Sequence, residues 1–147
     1  MNYIIRKMAI SDYDEVCRLW AQTEGIDLDE SDSRGSIGIY LKRNQGFCFV
    51  ARADDCIVAA VMCGHEGRRG ILRHLVVKGE YRGKGIARAL IAESLSALEK
   101  EGIKKCNTFV LDENIEGRRF WEHMEWAPQG NHLRIKGLTG PPGVITM

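Results

Sequence analysis

The sequence lacks most of the features that mark secreted, membrane or metal-binding chains. Its 147 residues include 5 cysteines, an odd number, and no two of them form a C-x-x-C pair. Most of them lie in apolar runs, which favours buried reduced thiols over disulfides or zinc ligands. No apolar run approaches the roughly 18 residues of a membrane span. The opening residues turn acidic before a signal-peptide core could form, so we expect a cytoplasmic protein without a metal.

Net charge is also nearly absent. The 21 basic and 20 acidic residues leave +1, which argues against a molecule-wide attraction to nucleic acid or to an anionic membrane. A nucleic-acid module stays a weak alternative, because HEGRRG (65–70) and RGKG (82–85) are basic. The length fits one domain, which we expect over residues 1–138, followed by a loose tail over 139–147. Any anion site must therefore be local.

Hydrophobic periodicity predicts an α/β chain with the element order β-α-α-β-β-β-α-β-α-β and a largely antiparallel start. Asp54-Asp55 indicates a hairpin turn, and Ser11 with Asp14 suggests a capping box at the start of the first helix. Gly102 is expected to end the third helix. Strands are expected over 3–9, 47–53, 56–64, 71–77, 106–113 and 131–138.

The stretch EYRGKGIARAL (80–90) has the composition of an anion site at the start of a helix. Glycines let the backbone approach a ligand closely, and the free N–H groups of a helix N-terminus favour a negative group such as pyrophosphate. A P-loop is excluded, because only three residues separate Gly79 from Gly83 and no hydroxyl follows Lys84. A basic turn without a ligand is the plain alternative.

A dinucleotide-binding turn stays a minor alternative for the same stretch. Gly83-Lys84-Gly85 supplies half of the G-x-G-x-x-G fingerprint, but Arg88 stands at the third glycine position. Five residues also separate the expected strand end at Val77 from Gly83, whereas the fingerprint begins directly after its strand. In this interpretation Asp112 would bind the ribose.

Three segments together resemble one known family. The run from Arg82 to Ala87 is similar to the R-x-x-G-x-G/A signature of the GCN5-related N-acetyltransferase (GNAT) family. The residues before it, 75–81, resemble the strand that leads to the signature there, with Gly79 in place of the commoner proline. Downstream, Asn114 and Phe120-Trp121-Glu122 resemble the family's Asn…Phe-Tyr-Glu helix. The resemblance implies a GNAT-like fold, with a mixed, mostly antiparallel central sheet flanked by helices.

The resemblance also implies an activity and a cofactor site. It implies an acyltransferase that moves the acetyl group of acetyl-CoA to an amine by direct attack on the thioester. The backbone near Val76 and Val77, at the end of a splayed strand, would hold the pantetheine, and Asn114 would contact it from the next helix. Arg118 or Arg119 would either reach CoA phosphates or lie on a solvated helix face. The pyrophosphate would bind the backbone of Arg82, Gly83, Lys84, Gly85, Ile86 and Ala87.

The resemblance assigns the catalytic groups less well. Trp121 stands where the family often has a proton-donating tyrosine, and tryptophan delivers no proton at neutral pH. We expect Trp121 to pack, and the thiolate to leave unaided or with help from another group. A non-catalytic acyl-CoA sensor of the same fold therefore remains an alternative.

The general base that deprotonates the amine is not assigned by the resemblance either. His65, Glu66 and His74 are weak candidates, and a water chain would also suffice. Strand alternation places Ile71, Arg73 and Leu75 on one face and His74 on the other, beneath a helix. By the resemblance, the face with Arg73 lines the acceptor cleft.

The acceptor is expected from the segment 24–32, which carries five acidic residues and no basic one. The resemblance places this segment beside the acceptor, so Asp27 and Asp29 point to a cationic amine on a small molecule or a peptide. The alternative is a solvated acidic loop that caps the next helix. Exposed edge strands are also compatible with a homodimer.

Overall fold

The computed structural model describes residues 2–110, 113–129 and 133–137, and within them seven strands form one mixed sheet. The strand order is β1-β2-β3-β4-β5-β7-β6, and each neighbouring pair is antiparallel except β4 and β5. The strands are β1 (Ile4–Lys7), β2 (Phe49–Ala53), β3 (Cys56–His65), β4 (Arg69–Val77), β5 (Lys105–Phe109), β6 (Ala127–Gln129) and β7 (Leu133–Gly137). The helices are α1 (Tyr13–Ala21), α2 (Arg34–Arg43), α3 (Ile86–Lys100) and α4 (Ile115–His123).

A helix pair covers each face of the sheet, as expected. On one face, α1 and α2 bury Val16, Trp20 and Ile37 against β2, β3 and β4. On the other, α3 and α4 bury Leu90 and Trp121 among side chains of the same strands. Of the five thiols, those of Cys48, Cys63 and Cys106 lie inside and those of Cys17 and Cys56 are partly exposed.

The hairpin between β2 and β3 confirms the turn expected from Asp54-Asp55. Both residues have positive φ, +52° and +63°, as a two-residue type I′ turn requires. α2 ends at Arg43 and α3 at Lys100, with Asn44 and Glu101 as their C-caps. Gly102, at φ +86°, follows directly, as expected for the end of the third helix.

The start of α1 differs from the expected capping box of Ser11 and Asp14. A 3-10 turn over Ile10–Asp12 precedes α1, and the carboxylate of Asp12 accepts a hydrogen bond from the backbone N–H of Ala9 at 2.9 Å. The same buried carboxylate accepts two hydrogen bonds of 2.8 Å from the Arg6 guanidinium on β1. The Arg6 side chain on β1 therefore selects Asp12, and not Asp14, as the acidic residue that is fixed at the start of α1.

Asp12→Asn is expected to lower the free energy of unfolding by about 2 kcal/mol at pH 7, because hydrogen bonds to a charged partner are lost. These bonds from Arg6 are the main cause that lowers the pKa of Asp12 below 3.8. A depressed carboxyl pKa stabilises the fold above the unfolded-state pKa, and the contribution is lost as the pH falls through the folded-state value. In urea titrations the difference in the free energy of unfolding between variant and wild type should decrease below about pH 4. A difference that is constant with pH would contradict this account.

The element order predicted from the sequence lacks β6, a short strand that contains Pro128. It lies at the sheet edge, where a residue without an N–H is tolerated. The strand expected over 106–113 ends at Phe109, and the last strand occupies Leu133–Gly137. Parts of these two expected strands lie outside the described residues, namely positions 111, 112, 131, 132 and 138. The expected tail over 139–147 also lies outside them. Within the described residues, no helix combines the length and apolar character of a membrane span.

Candidate active site

The central feature of the site is a gap between β4 and β5. Their parallel ladder ends at the pair Leu72–Thr108, where the Thr108 hydroxyl donates to the Leu72 carbonyl at 3.0 Å, although β4 continues to Val77. On the β3 side, Lys78 N–H donates to the Val58 carbonyl and Val77 pairs with Ala59. Because hydrogen-bonded and non-hydrogen-bonded pairs alternate, the peptide groups of Val77 point away from β3 and towards the gap.

A glycine-rich loop lies at the same end of β4. After a 3-10 turn over Gly79–Tyr81, Gly83 and Gly85 adopt positive φ values of +75° and +84°, which side chains rarely permit. Gly85 is the N-cap of α3, and a Cβ at either glycine would meet nothing within 4 Å. The first N–H groups of α3 have no carbonyl one turn earlier, and its first turn carries no acidic residue. We call residues 82–87 the amide cradle, since it presents backbone donors to open space.

Arg82 is exposed, and its side chain is held by a hydrogen bond to the backbone. Its Nε donates to the Val77 carbonyl at 2.9 Å and so ties the amide cradle to the end of β4. Lys84 and Arg88 are further exposed cations at the cradle. The positive charge expected for an anion site is therefore present, while Arg82 also fixes the loop.

Asn114 caps α4 and also contacts the loop between α1 and α2. Its Oδ1 accepts a hydrogen bond from Gly117 N–H at 2.9 Å. A Cβ at Gly117 would lie 2.5 Å from the Asn114 amide nitrogen, so only glycine fits there. A Cβ at Gly25 would lie 3.3 Å from the same nitrogen. Asn114 thus brings the acidic α1–α2 loop next to the start of α4.

His74 lies beneath a helix, as expected, but on the same face of β4 as Arg73 and not on the opposite one. A bulge in β4, where the register with β3 shifts between Ala60 and Met62, gives His74 a φ of +53°. Its ring packs edge-on against Trp20 with centroids 4.9 Å apart, on the face that α1 covers. Arg73 pairs with Met62 on that same face, whereas Leu75 packs on the other. The alternation of strand side chains predicted the wrong faces because it assumed an unbroken strand.

The imidazole of His74 has a carboxylate partner. Its Nε2 lies 2.8 Å from Asp32 Oδ1, and both side chains are largely buried, with 16% and 12% exposed. Asp32 is itself held by the Asp29 N–H at 3.2 Å and by the Tyr13 hydroxyl, which donates to its carbonyl at 2.6 Å. The imidazole is therefore fixed in position next to the gap, three residues before Val77.

Comparison with known proteins identifies this arrangement. The sequence profile of the acetyltransferase (GNAT) family matches residues 11–126. The chain belongs to the acetyltransferase (GNAT) family. An acetyltransferase of Yersinia enterocolitica is 32% identical over 136 residues, which cover 91% of this chain and 94% of that protein.

Solved GNAT structures share the fold. The PaiA N-acetyltransferase of Thermoplasma acidophilum, in complex with coenzyme A, superposes with a TM-score of 0.79 at 22% identity and covers 93% of this chain and 99% of that one. The YncA protein of Salmonella typhimurium with acetyl-CoA gives 0.73 at 14% identity, over 96% of each chain. This GNAT protein is an acetyl-CoA-dependent N-acetyltransferase whose acceptor is unspecified.

The GNAT site has backbone groups compatible with two parts of acetyl-CoA, the pantetheine and the pyrophosphate. The gap offers peptide groups for the pantetheine amides, and the amide cradle offers N–H donors for the pyrophosphate. Arg118 and Arg119 are exposed on α4. Trp121 is buried and packs against Trp126 with ring centroids 4.7 Å apart, as a packing residue should.

The other two base candidates of this GNAT protein lie at the far end of β4. His65 ends β3, its Nδ1 accepts the Gly67 N–H at 3.0 Å, and its ring packs edge-on against Phe47. Glu66 accepts hydrogen bonds from the Arg68 and Arg69 N–H groups in the turn before β4. Neither residue is close along β4 to the gap at Val77.

The acidic loop has mixed roles. The Asp29 carboxylate caps the 3-10 turn over Glu30–Asp32, and its hydrogen bond from the Ser31 hydroxyl lowers its pKa. Ser33 caps α2, so the capping expected as an alternative is present. Asp27 is exposed. Sequence reasoning did not find Asp32, because its partner His74 is 42 residues away and no local pattern links them.

Proposed function

We propose that the chain acetylates a cationic amine that enters from the α1–α2 loop side and attacks the thioester held in the gap between β4 and β5. The observation that carries this proposal is that the gap, the amide cradle and His74 lie around the last residues of one strand. When bound, acetyl-CoA supplies an activated acetyl group and a thiol leaving group. The residues of the protein bind the cofactor, polarise the thioester and remove the proton of the amine.

Backbone groups hold and polarise the thioester in this proposal. The Val77 N–H, directed into the gap, is placed to donate to the pantetheine or to the thioester carbonyl, and Val76 keeps the strand end in its ladder. The backbone of residues 82–87 binds the pyrophosphate, and Asn114 lies on the pantetheine side. These donors are fixed before binding, so little reorganisation is needed.

His74 takes the proton of the attacking amine in this proposal, directly or through one water molecule. Its Nε2 is bound to Asp32, which leaves Nδ1 to accept a proton. The carboxylate orients the ring and stabilises the imidazolium that forms, as carboxylates do for catalytic histidines elsewhere. The thiolate can leave unaided, because a thiol pKa near about 8.5 makes it a good leaving group.

The acidic loop attracts and orients the amine. Glu24, Asp27 and Glu30 are exposed and belong to a loop that reaches both Asn114 and His74. Unlike Asp29, which caps the 3-10 turn, Asp27 is not the cap of a described helix or turn, so its exposed carboxylate is available to a ligand. Arg73, exposed over the Phe109 ring at 5.2 Å, lines the same side of β4.

Asp27→Lys is expected to raise the KM for a cationic amine roughly 3- to 10-fold with little change in kcat, because one attractive charge becomes repulsive. The KM for acetyl-CoA should not change. Thiol release with a panel of amines measures both constants.

Glu99→Lys provides the matched control, since it makes the same charge reversal on an exposed position of α3. An equal effect of both substitutions, or a change in the KM for acetyl-CoA, would remove the role assigned to the loop.

A further inference from the structure

A second concave surface lies at the start of β4, at the opposite end of the strand from Val77. It is an open groove of about 730 Å³ between the end of α2 and the β3–β4 turn. Its lining includes Arg43 from α2, Arg68 and Arg69 from the turn, and Ile71 and Asn107 from the paired strands β4 and β5. We call it the arginine groove. It extends along the same face of the sheet as Arg73.

The arginine groove has an excess of positive charge. Among its lining residues Glu66 is the one carboxylate, and it lies 3.5 Å from Arg68 Nε. Arg43 donates to the neutral Asn44 side chain at 2.9 Å, and within the described residues neither Arg43 nor Arg69 forms an ion pair. Three guanidinium groups against one carboxylate make this end of the face a site for an anion.

Two buried polar atoms beside the arginine groove have no hydrogen-bond partner in the described part of the chain. They are the Tyr40 hydroxyl and Asn107 Oδ1, and both residues line the groove. Buried polar atoms are nearly always paired, so such exceptions ask for an explanation. A Cβ at Gly64 would lie 2.7 Å from both the Tyr40 hydroxyl and Asn44 Oδ1, so glycine allows these two side chains to pack directly against β3 at the wall of the groove.

The distance from the arginine groove to Val77, where the thioester is proposed to bind, sets the length of a ligand that would reach both. Ile71 pairs with Gly64 and Val77 pairs with Ala59, which is five residue steps along β3. At about 3.4 Å a step, the separation is roughly 17 Å. The face between them is open, since Arg73 is exposed and Phe109 is 53% exposed. An extended peptide covers this distance with about five residues.

We propose that the acceptor is the amino terminus of an extended peptide whose acidic residue, at about the fifth position, binds the arginine groove. The inference rests on the proposed function, because the amine must lie at the gap. The two ends of the face have opposite charge: the acidic loop attracts the amine, and Arg43, Arg68 and Arg69 bind the carboxylate.

Three hexapeptides with free amino termini test the proposal. One carries glutamate at its fifth and sixth positions, one carries glutamine there, and one has the glutamates at its second and third positions. Fluorescence anisotropy with a label at the carboxyl end measures binding in the presence of coenzyme A, and thiol release from acetyl-CoA measures turnover. The protein is compared as wild type, as the double variant Arg43→Gln/Arg68→Gln, and as Lys42→Gln, an exposed neighbour that does not line the groove.

The wild type should bind and acetylate the peptide with distal glutamates roughly 10-fold better than the other two peptides, as expected for charge-assisted hydrogen bonds. This preference should fall below about 2-fold in the double variant and persist in Lys42→Gln. Equal binding of the three peptides, binding of none, or a preference that survives in the double variant would overturn the inference. Failure to bind acetyl-CoA, with no turnover of any amine, would instead overturn the proposed function.

Discussion

Gly85→Asp should weaken acetyl-CoA binding by at least roughly 100-fold, as measured by isothermal titration. The new carboxylate would stand at the N-cap of α3, where the amide cradle is open and a Cβ would have no atom within 4 Å. Two charges about 4 Å apart near a protein surface repel by about 4 kcal/mol, which exceeds the roughly 2.7 kcal/mol of a 100-fold change.

Gly85→Asn separates charge from backbone strain. Asparagine and aspartate tolerate a φ of +84° about equally and have nearly the same shape, but asparagine carries no charge. We expect the fold increase in the Kd for acetyl-CoA to be less than about one tenth as large for Gly85→Asn as for Gly85→Asp. Equal losses would mean that backbone conformation, and not an anion at the cradle, explains the effect. Binding of NAD in place of acetyl-CoA would point to the dinucleotide alternative.

His74→Asn is expected to lower kcat by roughly 100-fold, in the range that removal of a general base produces, while the Kd for acetyl-CoA stays unchanged. Asparagine is chosen because His74 has a φ of +53°, which asparagine accepts readily, so the β4 bulge should persist. The measurement is steady-state thiol release at saturating acetyl-CoA with an amine that the wild type acetylates. Melting temperatures confirm that the variant is folded.

His123→Asn is the control for this substitution, because His123 is exposed at the end of α4 and away from the gap. Asp32→Asn should cause a smaller loss, since the imidazole remains but its anchor at 2.8 Å is weakened. A kcat for His74→Asn within about threefold of the wild type would assign proton removal to water or to another group.

The backbone geometry of the proposed cofactor site could be predicted from the sequence because most of its residues are contiguous. The strand end at Val77, the amide cradle and the α3 N-terminus follow one another directly along the chain, and positive φ at Gly83 and Gly85 explains the two glycines. The hairpin at Asp54-Asp55 was predictable for the same reason. Turns that need unusual backbone angles select particular residue types, so they can be recognised in the sequence.

The acceptor half could not be predicted, because it is assembled from distant segments. Strand alternation placed His74 on the face opposite Arg73, because no residue pattern predicted the bulge in β4. The pairing of Asp32 with His74 and the approach of Arg43 to the β3–β4 turn depend on how α2 packs against the sheet. Ser11 and Asp14 failed as a capping box for a similar reason, because Arg6 on β1 binds Asp12 instead.

The separation of β4 and β5 beyond Leu72 has a consequence for the stability of the enzyme. Where the ladder stops, β4 has no partner from β5 among the described residues, and a pantetheine bound there would complete the sheet as a short strand does. A ligand that binds only the folded protein stabilises it by mass action, by about 2.7 kcal/mol at 100 times its Kd. The enzyme is therefore expected to resist unfolding better when acetyl-CoA is abundant.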